Sequence, residues 1–199
     1  HHPESLVIGY LRNQGFVKSF YDLKSIQVDW DTNTAAAVTH DPIEQIENQL
    51  THKVVTSGCG QGTTYGGIWD DLKKKNIKDK KLKQSTIYKI LKLLHEKNEI
   101  YRLSGAVHGC ALCSENEIID FIEDVGRHNA VDAIAGNMWI NEIESSNKIF
   151  YTTGRLTSEM VIKVAQMEIP YLLSRSGITE MGYNVAKETG VTLLGRAKG

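Results

Sequence analysis

Cysteine is scarce in this chain, and its scarcity removes several kinds of protein at once. Three cysteines in 199 residues cannot build a disulfide framework, so a reducing, cytoplasmic setting is expected. Cys110 and Cys113 share a Cys-x-x-Cys spacing. They fall in an expected strand, however, where residues three apart face opposite sides. No second such pair or histidine pair follows at a zinc-site spacing, so both are read as packing residues and no metal site is expected. Long apolar runs are also missing. None approaches the ~20 residues of a membrane helix, and no membrane partner is expected. Neither sign of charge dominates: a net charge of -1 points to no partner, nucleic acid included. No leader pattern is read, because Glu4 and a helical periodicity follow His1-His2-Pro3 at once. The absence of an initiator Met and the abrupt end at Gly199 suggest a piece of a longer protein, with His1-His2 either native or left by a tag.

What remains is ordinary soluble material with one unusual concentration of chemistry. At 41% hydrophobic and 24% charged, the chain can bury one large core or two small ones. Glu123-Asp124-Val125-Gly126-Arg127-His128-Asn129-Ala130 packs acids, a glycine, an arginine, a histidine and an amide ahead of a helix. That helix is marked by apolar residues at Ala130, Val131, Ile134 and Met138. A helix start offers unpaired N–H groups and a positive dipole end, which suit a phosphate. Arg127 adds a planar donor fork, and His128 and Asn129 add groups able to read a ligand's edges. For any one of these residues a helix cap is the favoured reading; together they point to a ligand site. Seven lysines against one acid between Lys73 and Lys83 read as a solvated basic segment.

Along the chain, residues 3–15 read as a helix with Leu6, Val7, Tyr10 and Leu11 on one face. Residues 26–39 alternate weakly, as a strand would, and the weak periodicity after Asp41-Pro42 supports no assignment. Val54-Val55 is a short strand candidate leading into a glycine-rich loop, Thr56 to Thr64. From residue 84 the pattern sharpens: a helix carrying Ile87, Ile90, Leu91 and Leu94, then antiparallel strands at Ile100–Leu103, Ala106–Cys113 and Ile118–Glu123. Helices at 127–139, 157–168 and 179–189 alternate with strands at Ile149–Thr153, Tyr171–Ser174 and Val191–Leu194, and Gly190 is placed as a C-cap. Three successive β–α–β repeats predict a parallel, right-handed arrangement with helices on both faces.

Such sheets bind ligands at the carboxyl ends of their strands. Each of those ends carries polar or glycine chemistry here: Glu123–Asn129, Thr152–Arg155, Ser174-Arg175-Ser176-Gly177 and Gly195-Arg196-Ala197-Lys198-Gly199. Arg127, Arg155, Arg175 and Arg196 therefore predict a cationic rim able to hold phosphates bidentately, although one or two of them are expected only to solvate a loop.

Taken together, Ser104-Gly105-Ala106-Val107-His108-Gly109, the Glu123–Ala130 run, Thr153-Gly154-Arg155-x-x-x-Glu159-Met160 and Ile169-Pro170-x-x-x-Ser174-Arg175-Ser176 resemble the formate dehydrogenase accessory sulfurtransferase family, FdhD. Gly190–Gly195 and the Leu6–Phe16 segment fit the same pattern. The resemblance implies a cytidine-deaminase-like α/β fold, a three-layer sandwich with a mixed sheet. It implies that a persulfide is accepted from a cysteine desulfurase and its sulfur passed to the molybdenum or tungsten bis-guanine-dinucleotide cofactor of formate dehydrogenase. Guanine nucleotides would mimic that cofactor, and a homodimer is expected. The family's loop cysteine corresponds to Cys59, and its terminal cofactor-binding segment to Arg196–Gly199. The usual loop is Cys-Gly-x-Cys-Gly; here Gly62 stands where the second cysteine belongs, which puts a dithiol mechanism in doubt.

These readings divide the chain into an α+β N-terminal region, 1–83, carrying the Cys59 loop, and a deaminase-like α/β domain, 84–199. Cys59, flanked by glycines, is the expected sulfur carrier. His108, Arg127, His128, Asn129, Gly154, Arg155, Ser174, Arg175, Ser176, Arg196, Ala197, Lys198 and Gly199 are the expected cofactor-binding residues. For the two histidines, packing is an equal alternative. A chaperone that delivers the cofactor without sulfur chemistry is the second reading. A zinc deaminase is disfavoured, because Arg127-His128-Asn129 and Gly154-Arg155-Leu156 stand where His-x-Glu and Pro-Cys-x-x-Cys are needed.

Overall fold

In the computed structural model, which describes residues 2–43, 53–55, 63–65, 71–73, 75, 77 and 81–198, one mixed sheet organises the larger part of the chain. Its strands are β5 (His108–Cys113), β6 (Ile118–Asp124), β7 (Ile149–Thr152), β8 (Tyr171–Ser174) and β9 (Thr192–Leu194), in the spatial order β6-β5-β7-β8-β9. β5 runs antiparallel to both β6 and β7, while β7, β8 and β9 are parallel. The sheet is mixed, as expected, and Ala106–Cys113 and Ile118–Glu123 are antiparallel neighbours; what the β–α–β series did not indicate is that β5 is inserted against the others' direction, between its first and second strands. Each of its neighbours takes one edge of its hydrogen-bonding groups, so β5 is buried on both sides.

Three helices cover one face: α4 (Arg127–Ile140), α5 (Ser158–Gln166) and α6 (Glu180–Thr189). Their apolar residues Val131, Ile134, Met160, Val164 and Val185 share a core with Cys110, Leu112, Phe150 and Leu172 of the sheet. α2 (Gln84–Lys97) closes the opposite face, where Ile90 and Leu94 meet Ala111, Tyr151 and Leu173. Cys110 and Cys113 fall in these two different cores, as strand alternation expects for residues three apart. Gly190, at φ 81°, closes α6 in the left-handed conformation that favours glycine.

α1 (Pro3–Asn13) packs on the outside of α4, which is therefore buried on nearly every side. The approach is backbone to backbone. A methyl group at Gly9 would overlap the Asp132 carbonyl, and one at Gly136 would overlap that of Ser5. Asn13 donates to Asp132 Oδ1 at 2.7 Å, and Lys163 of α5 meets Asp132 Oδ2 at 2.6 Å, so one buried carboxylate ties three helices together.

Several local expectations are revised. Ile100–Leu103 is not a strand but lies in the short helix α3 (Glu99–Ser104). The Glu123 carboxylate, across the fold, accepts from the Ile100 and Tyr101 N–H groups, and Gly105 at φ 62° ends the helix. Residues 26–39 are not one strand but span two, β1 (Leu23–Asp29) and β2 (Thr34–Thr39), joined by a turn at 30–33 and paired antiparallel as a hairpin. β3 (Lys53–Val55) pairs with β4 (Thr63–Tyr65), so Thr63 and Thr64 leave the expected loop; residues 56–62 and the weak pattern at 44–50 lie outside the described residues.

Candidate functional site

Because β5 opposes β7, its first residue lies beside the last residues of its neighbours. His108 pairs with Asp124 of β6, Cys110 with Thr152 of β7, and Thr152 in turn with Ser174 of β8. One edge of the sheet therefore collects His108, Asp124, Thr152 and Ser174, together with the start of α4. Hydrogen bonds stitch the connecting loops there. Gly154 N–H donates to Thr152 Oγ1 at 3.1 Å, and the Ser174 hydroxyl donates to the Gly154 carbonyl at 2.6 Å. Ser176 N–H returns to Ser174 Oγ at 2.9 Å. The backbone N–H groups of Arg196 and Ala197 donate to the carbonyls of Ser176 and Ser174, each at 2.8 Å. All four polar strand ends expected from the sequence meet along this edge.

Arg127, the first residue of α4, is only 7% exposed. Its side chain runs against Gly154, where a Cβ would come within 2.8 Å of Arg127 Cδ, so the glycine leaves room for the arginine's stem. Gly126 precedes it, with its N–H on Asp124 Oδ1 at 2.8 Å; the exposed Asn129 donates to the same oxygen at 3.1 Å. Asn129 is thereby committed to the turn that opens α4. His128 faces α5, its Nε2 lying 2.8 Å from Glu159 Oε2, close enough for charge pairing but out of line for a hydrogen bond.

His108 is half-buried, with Nδ1 at 3.4 Å from Thr153 Oγ1. Burial first, and then the charges of Arg127, His128 and Arg155, hold its pKa below the ordinary 6.5. The imidazole is therefore neutral at pH 7. The unfolded chain takes this proton at a higher pH than the native one, so the stability His108 contributes is present above pH 6.5 and is lost as pH falls through its lowered folded pKa. An NMR titration of the histidine ring signals is expected to place His108 below 6.5; a midpoint above that value would contradict a ring buried beside these cations.

The four arginines do not share one environment. Arg127 and Arg155 both act on His108, whereas Arg175 acts on Tyr151, which lies in the core under α2. Arg196 and Lys198 are exposed, Arg196 with φ 56°. Cys59 and Gly199 lie outside the described residues. Asn98, Tyr151 and Glu159 were not expected at this edge. Their signals were an asparagine between two apolar helical runs, a tyrosine inside a strand, and an acid four residues after Arg155.

The other two thiols are held inert. Burial pushes Cys110 and Cys113 each up to about 12, and Cys110 Sγ lies 3.4 Å from Thr152 Oγ1. In the native protein Ellman's reagent is expected to find neither; rapid labelling of Cys110 would contradict this burial. Among the described residues, no group of three His, Cys, Asp or Glu side chains is placed to hold a metal ion.

The architecture defines a mixed α/β protein with a five-stranded sheet and a polar, arginine-bearing edge at the strand ends. The sequence model of the FdhD/NarQ family matches residues 1–199, and the chain belongs to that family. A protein named "Sulfur carrier protein FdhD" from Wolinella succinogenes is 31% identical over 195 residues, covering 96% of this chain and 67% of the relative. One of the same name from Bacillus pumilus is 29% identical, covering 100% and 76%. A crystal structure assigned as a formate dehydrogenase accessory protein from Desulfotalea psychrophila superposes with a TM-score of 0.75 at 27% identity, covering 98% of this chain and 75% of that one.

Proposed function

We propose that this chain is a sulfur carrier serving formate dehydrogenase. In this reading Cys59 takes sulfane sulfur from a cysteine desulfurase and passes it to the molybdenum or tungsten bis-guanine-dinucleotide cofactor, the substrate held at the arginine-bearing edge. The observation that carries it is the joining of all four polar strand ends at that edge, with Arg127, Arg155, Arg175 and Arg196 among them. Family membership supports the same reading. In loading, the Cys59 thiolate attacks the terminal sulfur of the donor persulfide. The donor's S–S bond breaks as the new one forms, and the donor cysteine leaves as thiolate. Strand order and the inserted antiparallel β5 support a cytidine-deaminase-like relationship, read here without its zinc chemistry. A homodimer in the cytoplasm belongs to the same proposal.

Isothermal titration with guanosine diphosphate tests the edge. Wild-type protein is expected to bind, and Arg155→Ala to weaken binding about 10-fold, the worth of one charge-assisted hydrogen bond. Affinity is expected to rise as pH falls through the lowered pKa of His108, because a bound anion favours its protonated form. Absence of any binding by the wild type would remove the site. A second reading, a chaperone delivering the cofactor without sulfur transfer, is favoured by Gly62 standing in place of the family's second cysteine. It predicts that Cys59→Ala still activates formate dehydrogenase.

A further inference from the structure

The hairpin of β1 and β2 stands apart from the main sheet, and among the described residues no third strand pairs with it. A two-stranded ribbon is marginal in water; three or more strands, or a helix against an apolar face, are needed for stability. The register sets Ile26 opposite Ala37 and Val28 opposite Ala35, so these four share one apolar face. That face is incompletely covered: Ile26 and Val28 are half-buried, and Ala35 and Ala37 are exposed. β1 lies against α1, which leaves β2 as the outer strand. The outer edge of β2 also lacks the usual protection. Edge strands are commonly blunted by lysine, proline or a bulge. Thr34-Ala35-Ala36-Ala37-Val38-Thr39 has no charge and no proline, and the one irregularity in the pairing lies in β1, between Leu23 and Ser25. Every side chain of β2 is small or β-branched, so a strand approaching in the plane of the sheet meets no bulk.

The strand is complementary to itself. Two antiparallel copies related by a two-fold axis normal to the sheet must bring one residue opposite its own counterpart. With Ala36 on the axis, Ala35 faces the partner's Ala37, and Thr34 faces the partner's Val38, a side chain of the same shape. We infer that the open edge of β2 pairs in this register with the same edge of a second copy of this chain. The joint sheet has four strands, and Ile26, Val28, Ala35 and Ala37 of both copies line up as one apolar strip. An unrelated strand would gain the backbone hydrogen bonds alone; a second copy also extends the apolar face in register. The pairing supplies a contact for the homodimer proposed above and does not rest on sulfur transfer.

Sedimentation velocity on the full chain over a dilution series is expected to show a reversible dimer. Ala36→Lys sets two ammonium groups against each other on the axis and should weaken that dimer about 100-fold. Ala36 is exposed, so the monomer itself should unfold at an unchanged midpoint. Cross-linking gives an independent reading. Opposed residues of an antiparallel pair lie about 4.5–5.5 Å apart between Cα atoms, within the span of a disulfide. In a Cys59→Ser background, Ala36→Cys should form a covalent dimer on mild oxidation. Gln27→Cys, on the same face but one strand further from the axis, should not. If Ala36→Lys fails to fold, the cross-link alone decides. A wild type that stays monomeric throughout overturns the pairing and removes the homodimer with it. A dimer that survives Ala36→Lys, with Ala36→Cys linking no faster than Gln27→Cys, overturns the pairing and leaves the homodimer to another surface. Neither result bears on sulfur loading by Cys59, which intact mass decides separately.

Discussion

Cys59→Ser is expected to carry no sulfane sulfur at all after incubation with a cysteine desulfurase and cysteine, whereas wild-type protein gains one sulfur atom by intact mass. The expectation is absolute because the chain has no substitute. Of its three cysteines, Cys110 and Cys113 are buried on β5 with thiols pushed up to about 12, so at neutral pH they supply almost no thiolate to attack a persulfide. A serine hydroxyl is too weakly acidic to replace a thiolate and forms no stable S–S bond. A Cys110→Ser, Cys113→Ser double variant that still folds should load as wild type does. Sulfur retained by Cys59→Ser would end the carrier assignment and leave the chaperone reading.

Lys163→Met is expected to lower the unfolding free energy by about 3–5 kcal/mol, the usual consequence of leaving a buried charge without its partner. Lys163 and Asp132 are 3% and 5% exposed along their side chains, so water cannot replace the lost ammonium. Asn13 still donates to one Asp132 oxygen and keeps the loss toward the lower end. Against a total of roughly 5–15 kcal/mol for an ordinary domain, the change is severe. The double variant Asp132→Leu, Lys163→Met should recover much of it, since an apolar pair leaves no charge to compensate. Urea unfolding of wild type, single and double variants measures the difference; a single variant within about 1 kcal/mol of wild type would show that the pair contributes little. The pair also sets register. His128 meets Glu159 and Asp132 meets Lys163, four residues apart on each helix, so a slip of one turn would bring Asp132 to Glu159 or His128 to Lys163. Both pairings repel whenever His128 is protonated, and the first always does.

Most of the C-terminal elements were legible because apolar spacing reports directly on which faces are buried. α5 buries Met160, Val161 and Val164, which its periodicity marks, whereas α6 buries Val185 but leaves Met181 exposed. α3 was illegible for a physical reason. Ile100 and Leu103 suit a strand or a helical turn equally, and the deciding partner, Glu123, reaches it from β6. Strand order is similarly non-local: nothing in the local pattern of β5 says that it pairs with both β6 and β7. The arginine-bearing edge could be read from where strands end, since that is a matter of sequence position. The placing of Arg175 near Tyr151 could not, because it depends on the pairing of β7 with β8.

The glycine contact between α1 and α4 leaves no flexible atoms between two rigid rods. Gly9 lies against Asp132, one turn along α4 from His128, so tilting α1 displaces the helix that begins with Arg127. Tyr10 is exposed on α1, next to the residue that makes the contact. Any load that tilts this outer helix would therefore be passed to α4, and with it to Arg127 at its start, with no soft side chain between them to absorb it.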